Sequence, residues 1–330
     1  MKPDISLVLT VMVLLTAGCS FSPPLTLDSQ RITGLNHAEI AATPFLLQDD
    51  YQCGPASLAM VMNYYGADIT PQRLAPTVFT PDANGSFPAE MDAAIRRQGF
   101  ISYPVNTPED LMLEVAAGHP VVTLQNLGVS WYKKWHFAVV VGFDLDTRSF
   151  ILRSGEHPRL ITGMRLFNTT WLRSQRWGRV ILPAHQIPAT ATPLAFLKAA
   201  SDLEATGPEG AAYPAYAAAV KRWPERPMTQ FAMGNYLLQK DKPRDAKTRF
   251  LALLKLDPEF AEGWNNFAYT LDALDCPTLA VQAAQCANRL SPNTPAIQNT
   301  LLEMQTVLEG GKQPASPVPN QCDLKLTCPR

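Results

Sequence analysis

The chain has 330 residues, room for two domains of ordinary size, and its 28 basic and 29 acidic side chains leave a formal net charge of −1. No block of like charge interrupts it, which excludes a protein that works by neutralising nucleic-acid phosphates. Neither a P-loop nor a dinucleotide-binding glycine fingerprint is present, and no cofactor or metal is expected.

At the N-terminus Lys2 precedes a mostly apolar run, Ile5 to Leu15. The run is too short for a finished transmembrane helix and suits the core of a signal peptide, residues 1–18. Thr16-Ala17-Gly18-Cys19 resembles the lipobox of bacterial lipoproteins, although Thr16 stands where leucine is usual. The resemblance implies lipidation of Cys19. With Ser20 rather than aspartate after it, it also implies an outer-membrane protein facing the periplasm. An ordinary cleaved signal peptide is the alternative. Residues 19–40, with several Ser, Thr and Pro, read as a tether.

Residues 41–187 mix helix and strand signals. Cys53-Gly54-Pro55 opens a helix with an apolar face of Leu58, Val61, Met62 and Tyr65, and Gly66 is placed to end it. Helices follow over 88–98 and 108–117, the latter with Thr107 as N-cap, Pro108 in its first turn and Gly118 beyond its end. Strands are expected over 120–124, 136–143, 149–153 and 179–183, with a turn at 144–148. Helices followed by short strands give an α+β domain with an antiparallel sheet.

From Pro193 the pattern becomes wholly helical. Pro224, Pro258 and Pro292 are spaced 34 residues apart, and Ala212, Ala246 and Ala280 precede them at one fixed offset. Tyr216, Phe250 and Ala284, then Ala219, Leu253 and Ala287, repeat at two others. Small residues let two helices approach closely, and proline ends the second of each pair. Period and positions resemble the tetratricopeptide repeat. The resemblance implies an all-α solenoid over 193–310, with units at 193–226, 227–260 and 261–294, a capping helix at 295–309 and a mobile tail at 311–330. In the first unit Pro214 falls inside the second helix. Such a solenoid offers a concave face for a protein partner.

Six cysteines divide by role. Beyond Cys19 and Cys53, Cys276, Cys286, Cys322 and Cys328 form an even set in a compartment that permits disulfides. Four cysteines allow three pairings; neighbour pairing, Cys276 with Cys286 and Cys322 with Cys328, is preferred here. Zinc does not fit, because no CxxC spacing occurs and no histidine is near.

Cys53 carries the chemistry. A thiol at a helix N-terminus feels the positive end of the macrodipole, which favours thiolate. His136 opens an apolar strand and so lies at the entrance of a buried element, where a base is wanted. His37, His119, His157 and His185 compete; His157 is the nearest rival and His119, before a proline, reads as incidental. Gln48, Cys53, Gly54, Pro55, Ala56, Leu58 and Met60, with His136, resemble the bacteriocin-processing (double-glycine leader) cysteine peptidases of the papain-like superfamily. The resemblance spans about Pro44 to Pro183. It implies a papain-like fold, Cys53 as nucleophile, His136 as base and Gln48 as an oxyanion donor beside the Cys53 backbone N–H, with Gln52 second in line. It does not carry over cleavage of double-glycine leaders, since no transporter domain accompanies it. Such peptidases place an Asp-Pro at the end of the next strand. Here Arg153-Ser154-Gly155 stands there, leaving Ser154, or a swung-in Glu156, to orient the histidine. The expected protein is a membrane-anchored periplasmic cysteine peptidase acting on protein or peptide. The alternatives are a weak or inactive peptidase fold serving as a scaffold, and a cysteine amidase or acyltransferase on cell-wall peptides.

Overall fold

The computed structural model describes residues 25–48, 52–80, 85–129, 131–310 and 322–329. The expected signal segment, Cys19 and the tail between Gly310 and Cys322 lie outside the described residues.

The first domain is built on a seven-stranded antiparallel sheet in the order β4-β9-β5-β6-β7-β8, with β1 paired to β6. Its strands are β1 (His37–Glu39), β4 (Phe100–Pro104), β5 (Val121–Asn126), β6 (Trp135–Asp144), β7 (Ser149–Ser154), β8 (His157–Gly163) and β9 (Gly178–Pro183); β2 (Phe79–Thr80) and β3 (Gly85–Ser86) make a separate small ribbon. The helices of this domain are α1 (Cys53–Tyr64), α2 (Pro71–Val78), α3 (Pro88–Arg97), α4 (Pro108–Ala116) and α5 (Met164–Leu172). The sheet buries both faces. Val122, Val139, Ile151 and Ile181 pack with α1, α2 and α3 on one side. Val121, Val140, Leu152 and Leu182 pack with α4 and α5 on the other. This double burial explains why β5 and β7 read as apolar runs rather than alternating ones.

α1 is buried at every position from Gly54 to Met62, so it is an interior helix and not an amphipathic one. It ends as its sequence indicates: Gly66 takes a left-handed φ of 84°, with its N–H on Asn63 and that of Ala67 on Met62. Thr107 caps α4, its side chain accepting from the Asp110 N–H, and Gly118 follows at φ 84°.

Three expectations need correction. Residues 25–40 are not a free tether. Ile32 and Ile40 are buried, Leu25, Leu27 and Leu35 pack on the core, and 37–39 pair with the end of β6 that outruns β5. Ser, Thr and Pro mask a spaced set of apolar residues that finds a docking site. Second, helices and strands interleave: β4, β8, α2 and α5 escape the sequence reading, β4 because it is a short edge strand ending in proline and β8 because most of it is exposed. Third, the disulfides join Cys276 to Cys322 and Cys286 to Cys328, not neighbours. Cys276 and Cys286 sit on one buried helical layer, and the segment 322–329 runs past both with Leu324 and Leu326 packed down.

The second domain is helical: α6 (Pro193–Thr206), α7 (Tyr213–Arg222), α8 (Pro227–Gln239), α9 (Pro243–Leu256), α10 (Ala261–Asp272), α11 (Pro277–Leu290) and α12 (Pro295–Glu309). The first helices of successive pairs, and α12, start 34 residues apart. Ala212, Ala246 and Ala280 are all buried, and Gly234 lies flat on Phe250, where a methyl group would come within about 3.0 Å of the ring. Pro214 does fall inside α7, but in its first turn, where the missing N–H does no harm. The two domains share one core: Phe196, Leu197 and Ala200 of α6 join Tyr103 and Leu182 of the sheet.

Candidate active site

The N-terminus of α1 meets the start of β6, and this meeting defines the site. Cys53 is the first residue of α1, half-buried and the one free cysteine among the described residues. Gln52 serves as the helix N-cap through its carbonyl, which accepts from the Ala56 N–H. The backbone N–H groups of Phe137, Gly54 and Cys53 itself face the thiol. Cys53 therefore lies against the residue that follows His136. Gly54 is closely packed: a side chain there would meet Ser86 Oγ at 2.6 Å and Met91 Sδ at 3.1 Å, and both would have to shift.

His136 is held by Ser154, with Nε2 2.8 Å from Ser154 Oγ. When Nε2–H donates to that oxygen, the Nδ1 lone pair is left free to accept a proton. The β6–β7 ladder shifts register between Val140 and Gly142 and ends with Val139 opposite Arg153, so Ser154 reaches His136 diagonally and not from directly opposite, where the simple hairpin alignment places it. Glu156 is exposed, as are His157 and His185. His37 pairs opposite Asp144 at the far end of β6.

Gln48 ties the two halves of the site together. Its Oε1 accepts from the Gly155 N–H at 2.8 Å, and its Nε2 lies 3.4 Å from Ser57 Oγ, one turn along α1. The first bond fixes which way the amide faces, and one Nε2–H remains uncommitted. Arg153, buried, secures the chain leading to Gln48 by donating to the carbonyls of Ala41 and Thr43, and ties it to β8 through the carbonyl of Pro158. Sequence reading missed this role. An arginine in an otherwise apolar strand was the available signal, since a buried guanidinium must find acceptors.

The electrostatics differ from a preformed ion pair. Burial pushes the Cys53 thiol above its ordinary value, against the pull of the three backbone N–H groups. Burial, with Lys134 nearby, lowers His136 to about 4. The helix-terminus argument for a resting thiolate is thus outweighed by desolvation, and the pair rests as thiol and neutral imidazole at neutral pH.

His119 is not incidental. Its Nδ1 lies 2.7 Å from Oε2 of the fully buried Glu114, whose oxygens also accept from Ala189 N, Thr190 N and Thr190 Oγ1. This clasp holds the segment leading into α6, away from Cys53.

No curated protein matches the chain. Among solved structures, a C39-like peptidase from Bacillus anthracis is similar at 16% identity and a TM-score of 0.39, covering 45% of this chain and 98% of that one. The first tetratricopeptide domain of Spaghetti (RPAP3), bound to an HSP90 peptide, and that of human RPAP3 are each similar at 15% identity and a TM-score of 0.34, covering 36% of this chain and 93% of theirs. Residues 36–154, the stretch that holds Gln48, Cys53, His136 and Ser154, match the Peptidase_C39 like family.

Proposed function

We propose that the chain is a cysteine peptidase in which Cys53 and His136 act as a dyad, anchored through a lipidated Cys19 at the periplasmic face of the outer membrane. The observation that carries it is the seating of Cys53 against the Phe137 N–H while Ser154 occupies Nε2 of His136. Cys53 Sγ attacks the scissile carbonyl as its proton passes to Nδ1 of His136. Because both groups rest neutral, proton transfer accompanies attack rather than preceding it. The Cys53 backbone N–H and the free Nε2–H of Gln48 receive the oxyanion. Collapse breaks the C–N bond, and His136 returns the proton to the leaving amine. Water, deprotonated by the same imidazole, then hydrolyses the thioester. The helical repeats recruit the protein that is cut or a partner that delivers it.

The test is capture by a peptide carrying a vinyl sulfone. Wild type gains the mass of the probe on Cys53, Cys53→Ala gains none, and His136→Ala reacts at least about a hundredfold more slowly. Equal rates for wild type and His136→Ala would sink the dyad and favour a scaffold. Capture by cell-wall peptides in preference to protein-derived ones would move the activity to amide hydrolysis or acyl transfer on that substrate.

A further inference from the structure

The loop between β5 and β6 continues the hairpin beyond the sheet. Leu127 N–H donates to Lys134, and Val129 and Tyr132 exchange backbone bonds near the tip. Its stem is firmly built. Buried Asn126 accepts through Oδ1 from Gly128 N and Lys134 N, both at 3.0 Å, and Arg173 donates to the carbonyls of Asn126 and Gly128. Gly128 admits no side chain, since a methyl group would fall 2.0 Å from the Tyr132 carbonyl oxygen. Yet this braced hairpin presents its large side chains to solvent: Trp131 is 87% exposed and Tyr132 65%. Lys133 and Lys134 lie beside them, and no acidic residue occurs between Leu127 and Trp135. Soluble proteins rarely leave such aromatic surface open without a use for it.

The hairpin is continuous with the cleft. Trp135, itself half exposed, pairs with Asn126, and the next residue is His136, which pairs with Gln125. We infer that the stretch Trp131–Trp135 of this hairpin is the substrate-binding rim of this site, and that it selects an extended peptide with acidic side chains beside aromatic or large aliphatic ones. The inference rests on the peptidase reading of the cleft. Aromatic rings supply rigid contact area at small entropic loss, and the two lysines supply the sign of charge. Burial is the main cause of the lowered basicity of His136 and Lys134 the lesser one, and a substrate carboxylate placed at Lys134 offsets the lesser.

The test uses the full chain carrying Cys53→Ala, which binds without turnover, and two fluorescent peptides of equal length. One alternates Glu with Phe and Leu; in the other Lys replaces Glu. The acidic peptide should bind at least about tenfold tighter. Lys133→Glu with Lys134→Glu should invert that order, and Trp131→Ser with Tyr132→Ser should weaken the acidic peptide about tenfold. An order unmoved by charge reversal overturns the inference. So does a result in which the variants change affinity for phosphatidylglycerol vesicles and not for peptides, because the hairpin would then be a lipid contact. With Cys53 restored, cleavage that ignores the hairpin variants sinks the inference and leaves the peptidase reading. Selective binding without any cleavage does the reverse.

Discussion

In the helical repeats, residues 34 positions apart meet the same surroundings: Ala246 and Ala280, or Phe250 and Ala284, are buried at equivalent places between adjacent helices. In the sheet domain each important contact occurs once and joins distant parts of the chain, as when Gln48 accepts from Gly155 or Arg153 reaches Ala41. The repeats are held by apolar packing between neighbours, while the sheet domain places buried polar groups wherever its loops must be fixed. Damage in the first region should stay local; damage in the second should spread.

Glu114→Ala gives the largest effect expected of a single substitution. It strips a fully buried carboxylate from His119 and from three donors in the segment leading to α6. Loss of one side of such a network destabilises by about 3–5 kcal/mol. Guanidinium unfolding followed by tryptophan fluorescence should show the loss in the transition of both domains, since they share a core. A change under about 1 kcal/mol would mean the clasp is incidental to stability.

Opening the disulfides provides the contrasting case. Replacing Cys276 and Cys286 with Ser releases 322–329 from α11 and the turn before it, breaking cross-links of sequence separation 46 and 42. Each is worth roughly 2–4 kcal/mol. Hydrogen exchange should accelerate in α10, α11 and α12 and remain unchanged in the sheet. Acceleration in β5 or β6 would erase the proposed distinction between the regions.

The same distinction governs what the sequence disclosed. A period repeats its message, so Pro258 and Pro292 announced the ends of α9 and α11 on sight. Cys53 and His136 were legible because each stands at the start of an apolar element. Ser154 was reachable by following the hairpin register. Arg153 and Glu114 were not, because their acceptors and donors come from loops whose return path no local pattern records. The disulfide pairing failed for a related reason: it depends on how the tail crosses α11, which is a long-range fact. The resting charge state failed as well, since a helix N-terminus is visible in sequence and the extent of burial is not.

Burial of neutral His136 ties the site to stability through pH. Its folded pKa, lowered to about 4, lies below its ordinary value, so the unfolded chain binds the extra proton first as pH falls. Stability from this group is full above about pH 6.5 and is lost as pH drops toward 4, a contribution of order 3 kcal/mol at most. His136→Phe should flatten the unfolding free energy between those limits. An unaltered slope would place the histidine's titration elsewhere.

The smallest effect separates orientation from chemistry. Ser154 contributes no charge, and its Oγ fixes the tautomer of His136. Ser154→Ala should lower kcat by about tenfold with KM little changed, because imidazole then samples both tautomers and orientations. Ser154→Asp tests the same contact from the other direction. A carboxylate at that point stabilises imidazolium, raising His136 from about 4 and drawing the thiol proton across. Iodoacetamide should then label Cys53 faster at neutral pH than in wild type, where the buried thiol stays protonated. If Ser154→Ala leaves kcat intact and Ser154→Asp leaves labelling intact, the hydrogen bond is packing alone, and the histidine is held by the strand that carries it.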